Sequence, residues 1–172
     1  RVRQGDRQHA ADLPKTRLIQ QGVQFMIEEK ILILYPTLVQ AGLAITAYMA
    51  PTPLITVGSF DSPLSFYITM AVFLDSSKEY VTTLDVKHNG DSVLDSNANN
   101  DENHSQNFMF TKPDENSLLV GTQLHLKGVK PTTPGTYDIT LELFEIDEQS
   151  RQHLVDEKTC SIVIVKTTLR DQ

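Results

Sequence analysis

The first residues whose types and spacing could support chemistry lie in a polar run, DSNANNDENHSQN, over residues 95–107. Asn100 stands where a calcium-binding loop needs glycine, and Gln106 stands where it needs a bidentate glutamate. A solvated loop without metal is therefore the alternative interpretation. The feature in favour of calcium is that oxygen-bearing side chains occupy alternate positions at the start of the run: Asp95, Asn97, Asn99 and Asp101.

A second candidate for chemistry is Cys160, the only cysteine. One cysteine allows neither an internal disulfide nor a paired-cysteine metal site, which favours a reducing compartment such as the cytoplasm. A thiol nucleophile needs a base, and His153 is the nearest histidine in the sequence. Strand alternation, however, puts Cys160 on the face of Ile162 and Ile164, where a thiol packs as a small hydrophobic group.

Motifs for catalysis or cofactor binding are absent from the sequence. It contains no glycine-rich phosphate loop, no G-x-S-x-G turn and no H-E-x-x-H helix. We therefore expect neither enzymatic activity nor a cofactor. A hydrolase whose carboxylates converge only in the folded chain is an alternative, because sequence does not place distant carboxylates relative to one another.

Charge is unevenly distributed along the 172 residues, whose net charge is -7. Residues 1–30 carry six basic and four acidic side chains, and the remainder carries nine basic and 18 acidic ones. An acidic body disfavours a nucleic-acid partner, because affinity for phosphates comes from clustered lysine and arginine.

The elements that position these residues are predicted to be strands. Apolar residues occupy every second position over residues 66–74 and 137–143, and over residues 118–126 except at Thr122, which is the period of a strand with one buried face. Asn89-Gly90 is the preferred pair for a two-residue hairpin turn. Turn signals separate about eight strands, so we expect a mainly β, antiparallel sandwich over residues 41–172.

Residues 1–40 are predicted to form a flexible leader and an amphipathic helical arm. The helix is expected over residues 15–29, after Asp12 and Pro14, which favour a helix start. Its apolar stripe consists of Leu18, Ile19, Val23, Phe25 and Met26.

An uncharged stretch follows from Ile31 to Ala50 and is long enough to cross a membrane as a helix. Pro36 and Gln40 interrupt it, so its hydrophobicity is borderline. We expect buried strands there, or a short helix and a strand, and not a membrane span.

One segment resembles a known fold family. The run Pro131-Thr-Thr-Pro134-Gly135-Thr136-Tyr137 is followed by an alternating strand, a polar hairpin and a last apolar strand, up to residue 166. This arrangement resembles the final two strands of an immunoglobulin-like sandwich, and the resemblance implies that fold for the whole domain. The chain has no tryptophan and only one cysteine, so it lacks the disulfide-on-tryptophan core of antibody domains.

Two predicted strands are apolar on both faces, where a strand facing water should alternate with polar residues. Val163 and Val165 lie opposite the isoleucines of the last strand, and Tyr67 and Phe73 lie on the second face of the strand that begins near residue 66. We expect these faces to be covered by the helical arm, by a protein partner or by a second copy of the chain. The residues named here and the apolar stripe of the arm are the interface candidates.

The sequence therefore favours a noncatalytic protein-interaction or assembly module. A calcium-stabilised adhesive or carbohydrate-binding sandwich is the first alternative, and the hydrolase described above is the second.

Overall fold

Nine strands make up most of the chain that the structure describes. The computed structural model describes residues 28–38, 50–95 and 105–167, with the backbone alone over residues 105–108. The strands are β1 (Lys30–Thr37), β2 (Leu54–Val57), β3 (Leu64–Asp75), β4 (Glu79–His88), β5 (Asp91–Ser92), β6 (Ser105–Thr111), β7 (Ser117–Val129), β8 (Gly135–Ile146) and β9 (Gln152–Lys166).

These strands form two sheets. The first has the order β1-β3-β7-β6, and its strands pair antiparallel. The second has the order β2-β9-β8-β4-β5, in which β2 runs parallel to β9. The fold is therefore mainly β with two sheets, as expected for a sandwich. The parallel β2 pairing corrects the prediction of a wholly antiparallel fold.

One hydrophobic core contains residues from both sheets. Strands β2, β3, β8 and β9 contribute alternate residues to it, because successive side chains of a strand point to opposite faces. The alternating segments predicted from the sequence supply much of this core, which confirms their assignment as strands. Fully buried members include Phe66, Ile68, Leu126, Tyr137, Ile139, Leu141, Ile162 and Ile164.

Strand β1 lies before residue 41, the predicted start of the sandwich domain, and overlaps the uncharged stretch in which the sequence indicates buried strands. Its pairing register shifts between Ile31 and Ile33, and both Ile31 and Leu34 are buried in the core. A bulge adds one residue to a strand and so breaks the period of two. The segment KILILYPT therefore lacks the alternation by which the other strands are recognised.

The predicted helix over residues 15–29 lies outside the described residues except for Glu28 and Glu29, which precede β1 and are not helical. Residues 31–37 of the uncharged stretch belong to β1, and residues 39–49 lie outside the described part. Within the described ranges, no helix has the length and apolar character needed to cross a membrane.

The Asn89-Gly90 hairpin turn is confirmed. The backbone φ angles of these two residues are 53° and 93°, both positive as a type I′ turn requires. His88 pairs with Asp91 across the turn. The returning strand is short, since β5 ends at Ser92 and Leu94 makes only an isolated bridge with Val129.

Two side chains of β9 close the free edge of β1. Asp156 Oδ2 accepts a hydrogen bond from Ile31 N at 2.7 Å, and Lys158 Nζ donates to Ile31 O at 3.4 Å. These contacts satisfy backbone groups that the pairing with β3 does not use. They also attach the edge strand of the first sheet to the second sheet.

Replacing Asp156 removes the acceptor of the Ile31 amide. We expect Asp156→Ala to lower the free energy of unfolding by about 1 to 3 kcal/mol and to speed hydrogen exchange at the amides of β1. Glu157→Ala, which changes an exposed neighbouring carboxylate, is the control and should leave both quantities unchanged. Equal exchange rates at β1 in the two variants would contradict the role given to Asp156.

Candidate interaction surface

The predicted calcium ligands lie only partly within the described residues. Asp95 Oδ2 is 2.7 Å from Lys130 Nζ, so this carboxylate already has a cationic partner. Strand β6 begins at Ser105, which shortens the predicted loop over residues 95–107. In the described ranges, no three His, Cys, Asp or Glu side chains are grouped as a metal site requires. The predicted ligands that lie outside these ranges are Asn97, Asn99 and Asp101.

Cys160 and His153 do not form a nucleophile and base. They lie on one strand, seven residues apart, which is about 20 Å along β9. Cys160 pairs with Ile139 on the core side and is half-buried. Burial raises the pKa of its thiol to about 11, so the unreactive protonated form dominates at neutral pH.

Asp147 organises the turn between β8 and β9. Its carboxylate accepts hydrogen bonds from His153 Nε2 at 3.0 Å and from Arg151 Nε at 2.7 Å. It also accepts the backbone amides of Gln149 and Arg151. The His153 bond, followed by those from Arg151, lowers the pKa of Asp147 to about 2. The His153 side chain therefore stabilises the turn between β8 and β9.

A second ordered connection leads from β7 into β8. The Tyr137 hydroxyl donates to Thr133 O at 2.6 Å, and its ring stacks on His88 with ring centres 4.2 Å apart. His88 Nδ1 donates to Thr136 O at 2.9 Å, because a carbonyl oxygen only accepts. A Cβ at Gly135 would lie 2.7 Å from His88 Cε1, so the ring leaves room only for glycine at that position.

The outer face of the first sheet is buried at its centre. Thr69 and Ala71, on the second face of β3, are each 2% exposed. Gln123 Nε2 donates to Thr69 Oγ1 at 3.3 Å. The interface candidates Tyr67 and Phe73 lie on either side of this centre and are half-buried. The candidates that lie outside the described residues are Leu18, Ile19, Val23, Phe25 and Met26.

The outer face of the second sheet has exposed apolar side chains near the edge formed by β2. Leu54 and Val163 lie side by side in the parallel pairing of β2 with β9 and are 51% and 39% exposed. Val165 follows on the same face and is half-buried. We call Leu54, Val163 and Val165 the β2–β9 patch. Leu54 is not among the interface candidates from the sequence, because only the pairing of β2 shows which of its faces lies outside.

The centre of this outer face is polar. Side chains of adjacent strands bond to one another there and separate the β2–β9 patch from Leu154, which is 55% exposed near the start of β9. The β2–β9 patch is therefore apolar and lies beside a row of polar side chains that are hydrogen-bonded to one another. The bonded pairs are Ser161 with Asp138, Thr159 with Thr140 and Thr83 with Glu142.

No protein-family model matches this chain, and no curated protein matches it in sequence. A function is therefore inferred from the geometry of the folded chain.

Gly135→Ala places a methyl group against the His88 ring. We expect this variant to lose about 1 to 3 kcal/mol of stability. Replacing His88 by alanine as well should remove the part of this loss that comes from the ring, while the positive φ of 159° at position 135 leaves a residual cost. Urea unfolding of the double-mutant cycle measures this coupling. Gly58→Ala is the control, since a Cβ there meets nothing within 4 Å. Additive effects of the two substitutions would contradict the steric account.

Asp147→Asn removes the carboxylate with the lowered pKa. Such a carboxyl stabilises the fold above its ordinary pKa of 3.8, and this contribution is lost as the pH falls towards 2. We expect the variant to melt below the wild type at neutral pH and the difference to shrink across that window. For comparison, Glu148→Gln changes an exposed residue of the same turn and should show no such convergence.

Proposed function

We propose that the protein is a noncatalytic recognition or assembly module, built on an immunoglobulin-like sandwich, that binds another protein through the β2–β9 patch. The observation that carries this proposal is the exposed pair Leu54 and Val163 on an outer sheet face.

The strand order supports the immunoglobulin-like part of the proposal. In that fold one sheet has the strand order A-B-E-D and the other contains G-F-C, with C′ added in variable-type domains. When the strands other than β2 are lettered in chain order, β1-β3-β7-β6 corresponds to A-B-E-D and β9-β8-β4-β5 corresponds to G-F-C-C′. Strand β2 then takes the edge position beside G.

The corner at Tyr137 supports the same assignment. In domains of this type, a tyrosine near the start of strand F bonds to the backbone a few residues upstream and precedes a core cysteine by two positions. Tyr137 lies near the start of β8 and bonds to Thr133 O. Ile139, two positions later, is fully buried where that cysteine would stand. Apolar packing takes the place of the disulfide at this position.

The β2–β9 patch has the composition of an interface centre. Fully burying a leucine or valine side chain contributes about 1.5 to 3 kcal/mol, so a partner covering Leu54 and Val163 gains free energy from both. Asp138 and Ser161 lie beside the patch and are already bonded to each other, so they can form the polar rim that protein interfaces have.

The roles of the described polar groups support a noncatalytic function. Asp95 pairs with Lys130, Asp147 holds a turn, and Asp156 closes the edge of β1. The Cys160 thiol has a raised pKa because of burial. Each of these groups stabilises the folded chain or is held in an unreactive state.

A photo-crosslinking amino acid at position 163 tests the proposal in the native cells. We expect a discrete crosslinked protein from this position and none from position 159, which lies on the same strand within the row of hydrogen-bonded polar side chains. Leu54→Asp should abolish the crosslink and leave the melting temperature unchanged, because Leu54 is half exposed. Equal labelling from both positions, or a crosslink that survives Leu54→Asp, would refute the patch as the interface.

A further inference from the structure

The charged side chains on the outer face of the second sheet are mostly acidic. Paired residues of β4, β8 and β9 share a face, and successive residues of each strand alternate between the two faces. Among the described residues of these strands, five acidic side chains and one basic side chain therefore lie on the outer face with Val163: Glu79, Asp85, Asp138, Glu142 and Glu157, and Lys87. Lys166, at the end of β9, shares the opposite face with Ile164.

Three of these carboxylates have no cationic partner within the described part of the chain. Lys87 Nζ, the one ammonium on this face, lies 3.7 Å from Asp85 Oδ2. Asp138 and Glu142 accept hydrogen bonds from neutral hydroxyl groups. Neither they nor Glu157 take part in the ion pairs formed between described residues. The negative charge on the outer face is therefore largely uncompensated.

Two of the acidic residues, Glu142 and Glu157, are direct cross-strand neighbours in the pairing of β8 with β9. Like charges at such positions destabilise a sheet. The adjacent pair, Thr140 and Thr159, is neutral, and its hydroxyl groups are hydrogen-bonded at 3.0 Å. Natural proteins break local rules of this kind mainly at functional sites. The unfavourable pair therefore favours a function that uses the negative charge.

We propose that the protein that binds the β2–β9 patch has a basic surface, with lysine or arginine side chains beside the apolar group that covers Leu54 and Val163. This inference rests on the proposed function, because it describes the partner of the same patch. Asp138 lies at the rim of the patch, where a cation of the partner pairs with it while both stay in contact with water. The carboxylates farther along β8 and β9 stay uncovered and attract the partner during its approach.

The same charge pattern disfavours other occupants of this face. A second copy docked about a two-fold axis places the acidic face against itself, so carboxylates repel carboxylates. Nucleic acid is repelled as well, because its backbone phosphates are negative. A basic protein with an exposed apolar group matches both the charge of the face and the apolar character of the patch.

The photo-crosslinking amino acid at position 163 tests this inference in an extract of the native cells at a series of salt concentrations. We expect the initial rate of crosslinking to fall at least about tenfold from low to high ionic strength, because salt screens the attraction. The captured segment should contain lysine or arginine beside an apolar residue. A rate that does not depend on salt, a captured segment that is acidic, or one that comes from this chain itself would overturn the inference.

Glu157→Lys separates recognition from stability. It changes the net charge of the described outer face from 1 - 5 = -4 to 2 - 4 = -2, so at low salt we expect crosslinking at position 163 to slow at least about threefold. The same substitution places a cation opposite Glu142 and should raise the melting temperature. Glu115→Lys is the matched control, because it makes the same charge change at an exposed residue between β6 and β7. It should change neither quantity.

The outcomes distinguish this inference from the proposed function. A crosslink from position 163 that persists unchanged at high salt and in Glu157→Lys would refute the basic partner and leave the β2–β9 patch as an interface. Equal slowing in Glu157→Lys and Glu115→Lys would also refute it, because the location of the charge would then be irrelevant. The absence of any crosslink from position 163 would refute both proposals.

Discussion

The hydrogen bond from the Tyr137 hydroxyl to Thr133 O holds the chain where it crosses from β7 in the first sheet to β8 in the second. Tyr137 is fully buried, so its hydroxyl needs a partner at that place. The stack on His88 joins the corner to the end of β4, and the same ring leaves no room for a side chain at position 135. The corner thereby fixes the start of β8 beside the end of β4, where the pairing of these two strands begins.

The outer faces of the two sheets differ because their polar groups are satisfied in different ways. In the first sheet, Thr69 and Gln123 are buried and bond to each other. In the second sheet, the hydrogen-bonded polar pairs at the centre of the outer face are exposed to water. The β2–β9 patch lies beside them, at the edge formed by β2. A partner that covers the apolar edge avoids most of the cost of covering the centre, where the carboxylates of Asp138 and Glu142 are bonded to neutral hydroxyls and would lose hydration.

Edge protection is the second constraint on this fold. The side chains of Asp156 and Lys158 attach β1 to β9, although the two strands belong to different sheets. They therefore hold the sandwich together at one edge while they prevent pairing there. At the opposite edge of the first sheet, the pairing register of β6 shifts between Asn107 and Met109, and a bulge of this kind is also a device that protects an edge. Among the described residues, the two edges of the first sheet are therefore protected in different ways.

Local periodicity in the sequence determined the strands that contain the core, because a strand with one buried face must alternate apolar and polar residues. It predicted the segments around Phe66 and Tyr137, and the positive φ angles at Asn89-Gly90 followed from residue type alone. It indicated buried strands after Ile31 but not the bounds of β1, because a bulge shifts the alternation there. It also could not show the exposure of Leu54, which depends on the parallel pairing with β9. The tertiary structure decided these features, because they depend on which distant strands become neighbours.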